Sequence, residues 1–159
     1  MPIPAIALAF ALAASGTPMK DGFAYSRETL SGIPGDATSA ARSLETTYLI
    51  YVVVPKGKAP RDATVWLKGK HHAATLKRVS TPVEVEQDPA LPSGKKDTLV
   101  PATASAVYQV IPGEEQAPGD DAGRQATNGN DVVVCLRSDG SERRVVIKDI
   151  KPLRPAPGR

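Results

Sequence analysis

The 159-residue chain is poor in the residues from which many active sites are built. It holds one cysteine, one tryptophan and two histidines, and aromatics make up 4% of it. A single cysteine, Cys135, excludes an intrachain disulfide, so the fold relies on an apolar core. A chain of this length can supply one, burying roughly two thirds of the surface its unfolded form exposes. Cys135 lies in the run DVVVCLR. An apolar setting raises a thiol's pKa and makes it a small hydrophobe rather than a nucleophile. The scarcity of aromatics excludes a long groove that stacks bases or sugars. With only His71 and His72, a catalytic zinc site built on three protein ligands lacks donors. Neither G-x-S-x-G nor H-E-x-x-H occurs, and PKGKAP lacks the spacing of a phosphate-binding loop. No enzyme activity, cofactor or metal is expected. No apolar run is long enough to span a bilayer.

What the chain does have is punctuation. Its 15 prolines and 13 glycines argue against long helices and for short strands joined by turns. Strand-like runs recur at 23–30, 46–54, 64–68, 71–79, 83–86, 105–111, 131–137 and 143–150. They are rich in Val, Ile, Tyr and Thr, and several alternate apolar with polar residues. This spacing predicts an all-β domain over 20–151, an antiparallel, immunoglobulin-like β-sandwich of about seven to nine short strands. One short helix is expected at 37–45. The run from Tyr48 to Val54 is apolar on both faces, which marks a central strand, and DVVVCL is a second candidate. Asp139-Gly140 predicts a tight hairpin into the last strand.

The formal net charge is only +3, but it is unevenly spread. Residues 42–80 carry eight basic and two acidic side chains, 81–131 three basic and nine acidic, and 132–159 seven basic and three acidic. The nearly apolar-free stretch 112–130 reads as a long exposed acidic loop. Its Asp and Asn residues lack the ligand order of an EF-hand. The proline-rich tail 152–159 reads as flexible.

The first 13 residues are apolar and uncharged, and Ala11-Leu12-Ala13 fits the small-x-small rule for signal peptidase. This reads as an export signal with cleavage before Ala14, and the protein is expected in the periplasm or outside the cell. The basic residue that normally opens such a segment is missing, since the first is Lys20; a start upstream of Met1 would supply one.

One stretch gathers the rare residues. VWLKGKHHAATL, 65–76, contains the only tryptophan and both histidines. Gly69 between two alternating runs predicts a hairpin, with either Trp66 or Lys68 opposite His71. Both registers put Trp66, Lys68 and His71 on one face and His72 with Val65, Leu67, Ala74 and Leu76 on the other, because neighbours on a strand point to opposite sides. The two histidines therefore cannot share a metal without a bulge. If Val65 and Leu67 face the core, Trp66 faces outward beside Lys68 and His71, as a platform for a sugar ring or a protein partner. The competing reading has Trp66 in the core.

These features favour an exported, non-enzymatic binding module that takes a protein or a glycan at the bacterial cell envelope, with Trp66, Lys68 and His71 as contact residues. Export makes nucleic acid an unsuitable partner. Two rivals remain. A small envelope hydrolase requires His71 or His72 in a cleft with a carboxylate and a hydroxyl or thiol. A polyanion binder would use Lys56, Lys58, Arg61, Lys68, Lys70, Lys77 and Arg78.

Overall fold

The computed structural model describes residues 20–31, 43–87, 94–117 and 130–154. The expected export segment at 1–13 lies outside them. The described residues form ten strands and no helix: β1 (Gly22–Ser31), β2 (Ser43–Val54), β3 (Asp62–Leu67), β4 (Lys70–Val79), β5 (Val83–Glu86), β6 (Lys96–Val100), β7 (Ala106–Gln116), β8 (Val132–Ser138), β9 (Ser141–Ile147) and β10 (Lys151–Pro152). Eight make one sheet in the order β10-β1-β2-β7-β4-β3-β8-β9, and β5 pairs with β6 in a second. Every pairing is antiparallel except that of β1 with the short β10. The architecture is all-β and β-sandwich-like, a curled sheet with a small sheet against it. The strands are shared eight and two, not in the comparable halves of an immunoglobulin domain.

Alternation explains the curl. Ala24 of β1, Ile50 and Val52 of β2, Val110 of β7, Val65 of β3, Val134 of β8 and Ile147 of β9 all point to one side and form one core cluster. A flat sheet would leave that apolar face in water; rolling encloses it. The roll brings β1 onto β9. Gly22 makes this possible: a Cβ there would lie 2.8 Å from Cδ1 and Cγ1 of Ile147 and 3.1 Å from Cγ1 of Val145. Arg143 of β9 reaches across the same seam to Asp21 at 3.3 Å.

The sheet's other face is covered over β1, β2 and β7. Tyr25, Tyr51, Val53 and Val107 pack there under Leu99 and Val100 of β6. This is why residues 50–54 are apolar on both faces. The Tyr25 hydroxyl donates to the Leu99 carbonyl at 2.6 Å, pinning the small sheet down. Burial pushes the Tyr25 phenol above its ordinary value, and it does the same to Tyr51, helped there by the neighbouring Tyr25.

Four expectations are corrected. Of the helix expected at 37–45, only 43–45 are described, and they are strand, held by a ladder that pairs Ser43 with Ser31 and Glu45 with Thr29. The expected loop 112–130 opens instead as strand: β7 continues through Gln116, pairing Glu115 with His72, and 118–129 lie outside the described residues. The tail does pair: Pro152 sits opposite Ser26, and the Leu153 amide donates to the Ser26 carbonyl at 2.8 Å. The last long strand stops at Ile147 instead of 150, and Asp149 turns the chain with φ of 66°.

Two outcomes follow. Gly22→Ala is expected to cost about 1–3 kcal/mol, the usual penalty of overpacking, read by urea unfolding. Trimming the opposing side chain with Ile147→Val should recover part of it, as favourable coupling in a double-mutant cycle. The two tyrosines set an alkaline limit. A phenol whose folded pKa is raised stabilises fully below its unfolded value of 10.0, and that contribution is lost as pH climbs through the folded value. The melting temperature should hold up to about pH 10.0 and fall above it, and Tyr25→Phe should flatten the fall.

Candidate functional site

The hairpin β3–β4 turns through Lys68 and Gly69, with φ of 52° and 75°. Two successive left-handed residues make a type I′ turn, whose twist matches that of the strands. The register pairs Trp66 with His71 and Val65 with His72. Val65 is fully buried in the core and Leu67 nearly so, so Trp66 stands on the outer wall of the roll, half-buried. Its ring stacks on His71 with centroids 4.7 Å apart and planes 22° from parallel, an arrangement contributing about 0.5–1.5 kcal/mol beyond area burial. In the next position across the wall, Val133 sits between Trp66 and the half-exposed Val146. Trp66 is thus neither core nor a free ring.

The two histidines lie on opposite faces of β4, as strand parity requires. His72 shares the inner side with Val65 and places Nδ1 3.1 Å from the Gly113 carbonyl oxygen. Among the described residues neither ring is hydrogen-bonded to a carboxylate, hydroxyl or thiol, and no three metal-ligating side chains cluster. Cys135 is nearly buried, and desolvation pushes its thiol up, with the negative charge of Glu142 adding to the effect.

Lys68 parts company with Trp66 and His71. It lines a cavity of about 360 Å³ at the end of the roll, together with Ser26, Glu28, Thr46, Tyr48, Asn130 and Asp149. The opening has a structural cause. β2 pairs with β7 only from Ile50 to Val54. Beyond that, β2 stays with β1 and β7 stays with β4. The parting falls at Pro112, which has no N–H to offer a ladder, and at a register shift opposite His72 and Ala74. Gly113 fits there because a Cβ would come 3.2 Å from the Ala73 carbonyl oxygen.

The site is therefore two surfaces on either side of one rim. Outside are Trp66 and His71; inside are hydroxyls, an amide, two carboxylates and one ammonium. Sequence reasoning reached the outer pair and Lys68 but not Tyr48, Glu28, Asn130 or Asp149. A signal was available for two of them. Counting by twos from Ile50 and Val52 puts Tyr48 on the inner face, and counting from Ala24 puts Glu28 there, where the apolar series gives way to polar residues. For Asp149, whose place depends on a left-handed turn after β9, no such pattern exists.

Compared with protein-family models, curated proteins and solved structures, the chain matches none.

The Trp66–His71 contact has a direct optical readout, since there is one tryptophan. Emission is expected between the fully exposed and fully buried limits. His71→Ala should shift it to the red and increase iodide quenching. An unchanged spectrum in that variant would contradict the stacking.

Proposed function

We propose that this protein is an exported, non-enzymatic binding module of the bacterial cell envelope, and that it takes a glycan at the open end of its rolled sheet. The observation that carries this reading is the composition of the 360 Å³ cavity. Sugars are recognised by a dense mixture of donors and acceptors beside an aromatic face. Here Ser26, Thr46 and Tyr48 offer hydroxyls that both donate and accept, Asn130 an amide, Glu28 and Asp149 acceptors, and Lys68 donors. The Tyr48 ring adds an apolar surface. Two carboxylates against one ammonium favour a neutral or amino sugar over an acidic one. Trp66 and His71 stand outside the same rim, where a longer chain leaving the cavity would cross them. Export rests on the apolar segment and cleavage pattern at 1–13.

A protein partner is the second reading. It draws support from the outer wall, where Val146 is 49% exposed beside Val133 and Trp66.

The test is a glycan array of neutral and amino-sugar oligosaccharides from bacterial envelope polysaccharide, followed by titration of the best ligand. Tyr48→Phe, which keeps the ring packed on the core, and Glu28→Gln should each weaken binding about tenfold, the loss expected when a polar contact is removed, while leaving the melting temperature nearly unchanged. An array blank for every such sugar, or binding indifferent to both variants, would rule the reading out.

A further inference from the structure

The opposite end of the roll carries a second cavity with a different chemistry. Residues 55–61 follow β2 there, and the β8–β9 turn closes on the same side, with the Arg61 amide donating to the Arg137 carbonyl at 2.8 Å. Between them lies a space of about 370 Å³. Its floor is Val54 and Leu136, both 2% exposed and both part of the main core. Lys58, Arg143 and Arg144 line it with the hydroxyls of Ser138 and Ser141.

The balance of charge is one-sided. Among the described residues Glu142 is the only acid in the lining, and Arg137 already holds it at 3.5 Å. Asp21 takes Nη2 of Arg143 at 3.3 Å, while Nη1 of that guanidinium is enclosed and bonded to nothing among the described residues. Lys58 is exposed and heads no ion pair among them. A smaller cavity sharing Val54 brings Lys56 and Arg78 to the same end. Cations crowded around one space raise each other's electrostatic cost, and an entering anion relieves it.

We propose that this cavity binds a small anion, a carboxylate or a phosphate, whose apolar part rests on Val54 and Leu136. Guanidinium and ammonium groups supply charge-assisted hydrogen bonds to either oxyanion, and the serine hydroxyls add neutral ones. The pocket's limited volume selects a small ligand and not a long polyanion. The basic residues once expected to act together are divided: Lys56, Lys58 and Arg78 lie at this end, whereas Lys68 is at the glycan end and Lys70 is paired with Glu115 at 3.0 Å. The site is independent of the glycan reading and survives its failure.

The experiment is nuclear magnetic resonance titration of the protein with sodium phosphate and, separately, with sodium butyrate, each against sodium chloride at matched ionic strength. The Ser138 and Ser141 amides should shift and saturate with at least one anion and not with chloride. Saturation by phosphate alone identifies a phosphorylated ligand, and by butyrate alone a carboxylate. Lys58→Ala should weaken binding about tenfold, and Lys58→Arg should restore it. Lys58 is exposed in a turn, so both variants keep the fold. Saturation by neither anion, or affinity unchanged in Lys58→Ala, would overturn the proposal.

Discussion

The meeting of Gly22 with Ile147 governs the rest of the molecule. An eight-stranded sheet with one apolar face has to hide it, and this one does so by rolling until its first long strand packs on its last. At the seam there is no room for a side chain at position 22 of β1. The contact is apolar packing, with one ion pair alongside from the half-buried Arg143 to the exposed Asp21. A pair open to solvent on its carboxylate side contributes little, so closure rests on the fit. No polar or charged residue is buried among the described ones, which fits a roll held by packing.

Closure also creates two ends. A rolled sheet has a wall and two openings, and here the openings differ in chemistry. At the Lys68 end the inner row turns polar, and the β2–β7 ladder stops at Ile50. At the other end the loop after Val54 and the β8–β9 turn fold over a basic space. The two cavities sit at opposite ends of β2, one holding Thr46 and Tyr48 and the other Val54. Ligands at the two ends would be coupled only through the packed core between them.

Much of this was legible in the chain, for identifiable reasons. Period-two alternation put Val65 and Leu67 on one face and Trp66 on the other, and the structure has them so. The two-sided apolar run from Tyr48 to Val54 gave a central strand, because one face meets the roll and the other the small sheet. The strands that were missed share a cause: their reason is a partner rather than their own side chains. Lys96–Val100 begins with Lys and Asp after a turn-rich stretch and is a strand because β5 lies beside it. Glu114 to Gln116 contain no apolar residue and are strand because β4 offers its backbone. Residues 43–45, read as helix, are held by the far end of β1. The candidate site divides the same way. Trp66 and His71 meet across a hairpin whose turn is written locally, whereas Tyr48, Glu28 and Asp149 converge only once distant strands have rolled together.

On the proposed function, the opening beside Lys68 is the ligand face. The most direct test is a map of amide and indole resonances across the described residues on adding a mixed pool of envelope oligosaccharides. Shifts are expected at Ser26, Glu28, Thr46, Tyr48, Lys68 and Asn130 alone, with the Trp66 indole following for longer chains. Shifts centred on the β5–β6 sheet or along β9, with that rim silent, would contradict it.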